Sequence, residues 1–93
     1  MDIAFDRAKN ARNLRERGLS FERANEFDFE TASIAVDTRR EYGERRFVAV
    51  GYLDGRLHVL CFTETDTGIR VISFRKANAR EAKRYGKAQT VDR

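Results

Sequence analysis

The 93-residue chain has one cysteine, one histidine and no tryptophan. With Cys61 alone, no internal disulfide can form and no thiolate cluster can hold a metal, which suits a reducing compartment. With His58 alone, any site that needs a pair of imidazoles is excluded. Also missing is any apolar run near the ~18 residues of a membrane-spanning segment. The opening MDIAFDRAKN has no apolar stretch of signal-peptide length. The expectation is a cytoplasmic protein without membrane contact. Metal-ligand spacings, a phosphate-cradling glycine loop and a nucleophile elbow are absent too, so no cofactor is expected.

What the chain has is charge and aromatic bulk. Charged residues make up 37% and hydrophobic ones 41%, and seven Phe with three Tyr supply the core material. That is too many aromatics for a disordered tail, and the length supports a single domain over 1–93. Lys and Arg outnumber Asp and Glu by 19 to 15, a net +4 that suits a polyanionic partner. The charge is unevenly placed. From Ile69 onward eight basic residues (Arg70, Arg75, Lys76, Arg80, Lys83, Arg84, Lys87, Arg93) face only Glu81 and Asp92. Between Glu22 and Asp37 the acidic residues dominate, a stretch that reads as a solvated face or as a contact for a basic partner.

The segment after Phe5 spaces Ala8, Ala11 and Leu14 at i, i+3 and i+6, which predicts an amphipathic helix. Asp6 is its expected N-cap and Gly18 its left-handed C-cap. Ser20 suits the cap of a second, shorter helix carrying Phe21, Ala24 and Phe27. A short strand is expected over Ile34–Asp37, followed by the polar turn TRREYGER. Phe47–Leu53 and Arg56–Thr63 flank Asp54-Gly55, the pair that favours a type I′ hairpin because both central positions need positive φ. Ile69–Arg75 follows the Thr65–Gly68 turn as a last strand. Asn78 and Glu81 form an N-cap and N3 pair opening a final helix with Ala79, Ala82 and Tyr85 on its apolar face. The predicted fold is α+β: two N-terminal helices, an antiparallel meander of three to four strands, and a C-terminal helix. The central strands are apolar on both faces, so either the helices divide between the faces or a protein partner covers one of them.

Candidate chemistry rests on arginine, whose planar fork grips phosphate oxygens in two places and keeps its charge at neutral pH. Arg39, Arg40, Arg45 and Arg46 precede a strand, where they serve equally as solvated charge or as phosphate ligands. Arg75, with Lys76, leaves the apolar VISF run, a position that holds a charge rigidly. RNA can be cut without a metal if its 2′-hydroxyl attacks the adjacent phosphate and other groups move two protons and stabilise the phosphorane. The groups able to change protonation are Glu44, Lys9, Tyr42, Tyr85 and His58. His58, in the middle of RLHVLCF, reads as a structural histidine.

Three segments in order resemble the BrnT toxins of BrnT–BrnA toxin–antitoxin pairs. FDRAKNARNLRERGLSFERA carries Phe5, Asp6, Lys9, Asn13, Gly18, Phe21 and Ala24 in the spacing of that family's opening motif. YGERRFVAVGYLDGRLHVLCFTE and IRVISFRKANAREAKRY are similar to its strand meander and its closing Ile-Ser-x-Arg segment. The resemblance implies a RelE-like fold and an endoribonuclease that arrests translation. It also implies a BrnA-like ribbon–helix–helix antitoxin, through whose complex alone DNA is contacted. Carried over by position, it places the basic catalytic site at Lys9, Arg46 and Arg75, with Arg80 of the closing helix as an addition; Arg17, Arg45, Lys76 and Tyr85 are expected beside them, with Arg80, as RNA contacts. The family's Lys-His-Gly at the end of the first helix is Glu16-Arg17-Gly18 here. Arginine keeps the positive charge but cannot shuttle a proton at neutral pH. Two readings therefore compete: a metal-independent ribonuclease, and a module of the same fold that binds RNA or antitoxin without cutting. A DNA-binding regulator acting alone is weaker, since no helix-turn-helix is visible.

Overall fold

A computed structural model describes residues 1–90, with side chains through Gly86. Lys87, Asp92 and Arg93 of the basic pole lie outside the described side chains. The chain order is β1 (Asp2–Phe5), α1 (Arg7–Arg17), a 3-10 helix (Phe21–Glu26), β2 (Ser33–Val36), β3 (Phe47–Leu53), β4 (Arg56–Glu64), β5 (Gly68–Lys76) and α2 (Ala79–Thr90). One five-stranded sheet has the order β1-β5-β4-β3-β2.

Local chemistry explains most boundaries. The Asp6 carboxylate accepts from the N–H groups of Ala8 at 2.8 Å and Lys9 at 3.2 Å, and Gly18 closes α1 at φ 65°. Asp54 and Gly55 stand at φ 52° and 74°, the two positive values that a type I′ turn demands. At the start of α2, Asn78 and Glu81 exchange backbone-to-side-chain bonds of 2.8 and 2.9 Å, a complete capping box.

Three expectations need correction. The sheet has five strands rather than three to four, because Asp2–Phe5 joins it parallel to β5. Parallel neighbours need a crossover connection, and here the rest of the chain supplies it, so no local turn signal announces the pair. The second expected helix is a 3-10 segment whose Ser20 cap bonds the Glu22 N–H. In α1 the expected apolar face is exposed, Leu14 at 51%, and the one buried residue is Asn13. Alanines offer little area to bury, and the helix docks by amide chemistry instead. Asn13 Nδ2 donates to the carbonyls of Leu19 at 2.9 Å and Phe74 at 3.0 Å, and Asn10 Oδ1 accepts from the Phe21 N–H at 2.7 Å. Since β1 stops at Phe5, opposite Val71, α1 takes over the β5 edge from there, and Asn13 satisfies an edge carbonyl.

The core lies on one face of the sheet. Leu19, Phe21, Ala24 and Phe27 cover Ala49, Leu53, Leu60, Phe62, Ile69, Val71 and Phe74. Gly51 is required here, since a Cβ would stand 2.7 Å from the Phe27 ring. The opposite face carries Val48, Val50, Val59 and Cys61 and is covered at one end by α2. There Tyr85 packs edge-on against Tyr52 at 5.8 Å and donates its hydroxyl to the Thr31 carbonyl. Ala82 is half-buried beside Tyr85, while Ala79 is exposed. Val48, Val50 and Cys61 remain half-buried. Among the described residues no helix is long and apolar enough to cross a membrane.

Candidate nucleic-acid interface

Three parts of the fold converge on one cleft of about 620 Å³: the C-terminus of α1, the tip of the β3–β4 hairpin and the last residues of β5. Its lining includes Arg17, Gly18, Leu19, Arg23, Asp54, Arg56, His58, Arg75 and Lys76. Five are cations and one is an acid, a balance that draws in anions. The size falls within the usual range of ligand sites, about 300–1,000 Å³.

The cations differ in how far they are committed. Arg23 is engaged by Glu26 at 3.0 Å and Asp54 at 2.7 Å, and these carboxylates hold its guanidinium above its usual pKa. Arg75 meets Glu81 through both terminal nitrogens, at 2.8 and 2.9 Å. That bond raises the Arg75 pKa and pulls the Glu81 carboxyl down to about 2. Arg17 donates to the Asn13 side-chain oxygen at 2.8 Å, which orients the guanidinium without neutralising it. Arg56 and Lys76 have no ion pair among the described residues.

The register explains the placement. His58 pairs with Lys76 across β4 and β5, and Val59 with Arg75. Neighbouring strand residues point to opposite faces, so His58 and Lys76 belong to the core-side face. Arg75 starts from the other face, where it meets Glu81 of α2.

The remaining sequence-predicted residues lie elsewhere. Lys9 lines an adjoining groove with Arg12, Asn13, Glu16, Ile72 and Ser73, and Arg17 is common to both hollows. Arg45 and Arg46 lie at the opposite end of β3, about 20 Å from the cleft at the ~3.4 Å rise of a strand. There Arg46 stacks over the Tyr42 ring at 4.2 Å and bonds Glu44 at 3.2 Å. Arg45 is exposed in the 37–46 loop, and its carbonyl accepts from the Thr63 hydroxyl. Arg80 is exposed on the first turn of α2. Tyr85 is 7% exposed, and its hydroxyl is committed to Thr31. The structure thus brings together Arg17, Arg75 and Lys76, sets Lys9 next door, and separates Arg45 and Arg46 from them.

Sequence reasoning missed Arg23 and Arg56 as lining residues and treated His58 as structural. For Arg56 the signal was present: it follows Gly55 of a well-marked hairpin, so it must sit at the hairpin end. No group of three or more His, Cys, Asp or Glu residues able to hold a metal occurs among the described residues.

Comparison with curated proteins gives no match. A family profile described as the ribonuclease toxin BrnT of type II toxin–antitoxin systems matches residues 5–81. That span takes in the last residue of β1, all of α1, the whole meander and the capping box of α2, and with it every residue named in the cleft. The chain belongs to the BrnT family of ribonuclease toxins of type II toxin–antitoxin systems.

Proposed function

We propose that this chain is a single-domain, cytoplasmic, RelE-like endoribonuclease that cuts RNA without a metal and thereby inhibits translation. The observation that carries the reading is the cationic cleft with Arg17, Arg56 and Lys76 uncommitted to carboxylates. Lys9 and Arg12 extend the positive surface along α1 past Arg17, a track suited to a single strand of phosphates. In the reaction, the 2′-hydroxyl attacks the neighbouring phosphorus and the bond to the 5′-oxygen breaks. Positioning by the cleft and charge stabilisation by guanidinium groups supply the rate. Arg46 and Arg45 would meet RNA farther along the strand, and Arg80 would meet it on α2. The partner that silences the toxin is a BrnA-like ribbon–helix–helix antitoxin, and DNA is touched only through that complex.

A second reading, a module that binds RNA or antitoxin without cutting, is favoured by one observation. The Arg75 guanidinium is occupied on both terminal nitrogens by Glu81. The two readings separate when the chain is induced without antitoxin beside its Arg75→Ala variant, with RNA cleavage followed in vitro in metal chelator. The nuclease reading expects growth arrest and cleavage by the wild type. A folded wild type that binds RNA but neither cleaves it nor slows growth establishes the second reading.

A further inference from the structure

We propose that His58 is the general base of this chain, taking the 2′-hydroxyl proton through Nε2 inside the cationic cleft. The inference rests on the ribonuclease reading and adds the proton acceptor that reading lacks.

Its tautomer follows from its one hydrogen bond. Nδ1 lies 2.8 Å from the Arg56 carbonyl oxygen, which can only accept, so Nδ1 carries the proton. A neutral ring then keeps its lone pair on Nε2. This nitrogen has no hydrogen-bond partner among the described residues, yet among those residues no side-chain nitrogen or oxygen is both enclosed and unpartnered. Nε2 therefore reaches the surface, and the surface His58 lines is the cleft. The ring is held firmly, 5% exposed and packed on Phe74 at 5.7 Å between centroids. A fixed ring with one tethered nitrogen and one open nitrogen is what a positioned base requires.

The charged groups around it come from every element that forms the cleft. Arg17 stands at the end of α1, Arg23 on the 3-10 helix, Asp54 and Arg56 at the hairpin, and Arg75 and Lys76 on β5. Arg56 and Lys76 are free to hold the phosphate, with Lys76 directly across the ladder from His58. In the step, the O2′–H bond breaks and its proton passes to Nε2 as O2′ bonds to phosphorus. The bond from phosphorus to O5′ breaks, and O5′ takes a proton from water. The products are a 2′,3′-cyclic phosphate end and a 5′-hydroxyl end, and the imidazolium returns its proton to solvent. The arrangement also accounts for Arg17, which cannot shuttle a proton, because the shuttle is on β4.

The test compares the wild type with His58→Gln and His58→Asn on a short single-stranded RNA in chelator, across pH. Affinity is measured with the all-2′-deoxy oligonucleotide of the same sequence. The wild-type rate should climb with pH as one group loses its proton. Each folded variant should lose that limb and at least about 100-fold in rate, within the usual range for a general base, while keeping its affinity. Variants that cleave within about threefold of the wild type on an unchanged pH profile overturn the assignment and leave the ribonuclease reading standing. A wild type that does not cleave sinks both. If neither variant folds, nitrogen NMR of the wild type decides. A proton on Nδ1, with an Nε2 signal that moves on adding the deoxy oligonucleotide, upholds the proposal. A proton on Nε2, or a signal that does not move, overturns it.

Discussion

Glu81 holds Arg75 through two bonds of 2.8 and 2.9 Å while the same carboxylate completes the capping box with Asn78. One side chain therefore starts α2 and fixes that helix to the end of β5. The Arg75 bond is the largest cause of a Glu81 pKa near 2, against about 4.3 for an unperturbed glutamate. A depressed carboxyl pKa stabilises the folded state fully above the unfolded value, and the contribution fades as pH falls toward the folded one. Urea midpoints should thus decline from about pH 4.3 downward, and Glu81→Gln should flatten this decline. At neutral pH the substitution should cost about 1 kcal/mol, as expected for a partly exposed pair. A variant whose acid profile overlays the wild type would contradict the linkage.

Asn13 joins α1 to the Leu19 turn and to the β5 edge, and it also orients Arg17. Asn13→Ala leaves two carbonyls unmet at a buried site and should cost about 3 kcal/mol, within the range for unsatisfied buried groups. Urea denaturation measures this. A loss below about 1 kcal/mol would mean that water replaces the amide easily.

Gly68 pairs with Asp2 at the start of β1, and a Cβ there would stand 2.6 Å from the Asp2 nitrogen. Gly68→Ala should push β1 away and destabilise the fold by about 2 kcal/mol, the scale of a forced backbone shift. Hydrogen exchange at the amides of Ile3, Ala4 and Phe5 should accelerate more than exchange in β4. Unchanged protection of β1 would contradict its dependence on this glycine.

Much of the fold was legible in sequence, and where it was not the reason is physical. The hairpin, both caps of α1 and the capping box of α2 are local chemistry, readable from Asp54-Gly55, Asp6, Gly18, Asn78 and Glu81. Pairing of β1 with β5 joins residues more than sixty positions apart, and Gly68 reads as a turn residue until its neighbour is known. Asn13 was legible only as a residue of the opening motif, since side-chain bonds to distant carbonyls leave no periodic signal. The site was legible in part. Arg17, Arg75 and Lys76 do share the cleft, but strand alternation assigns Arg75 to the face away from His58, and only the register reveals that.

Binding to RNA should depend steeply on salt. If Arg56 and Lys76 each neutralise a phosphate, Arg56→Ala and Lys76→Ala should each flatten the slope of log affinity against log salt by about 0.7, the value for one contact with a single strand. Arg23→Ala, whose charge is already met by Glu26 and Asp54, should change it less. Equal slopes for all three variants and the wild type would remove the cleft from the RNA path.

The most direct test of the cleft as the site of cleavage is a rate measurement on a defined single-stranded RNA in chelator. It compares the wild type with an Arg56→Ala/Lys76→Ala double variant whose fold is confirmed by urea denaturation. The account predicts cleavage by the wild type and a loss of at least about 100-fold in the double variant, on the scale of removing preorganised charge from a phosphoryl-like transition state. A folded double variant that cuts as fast as the wild type would contradict it.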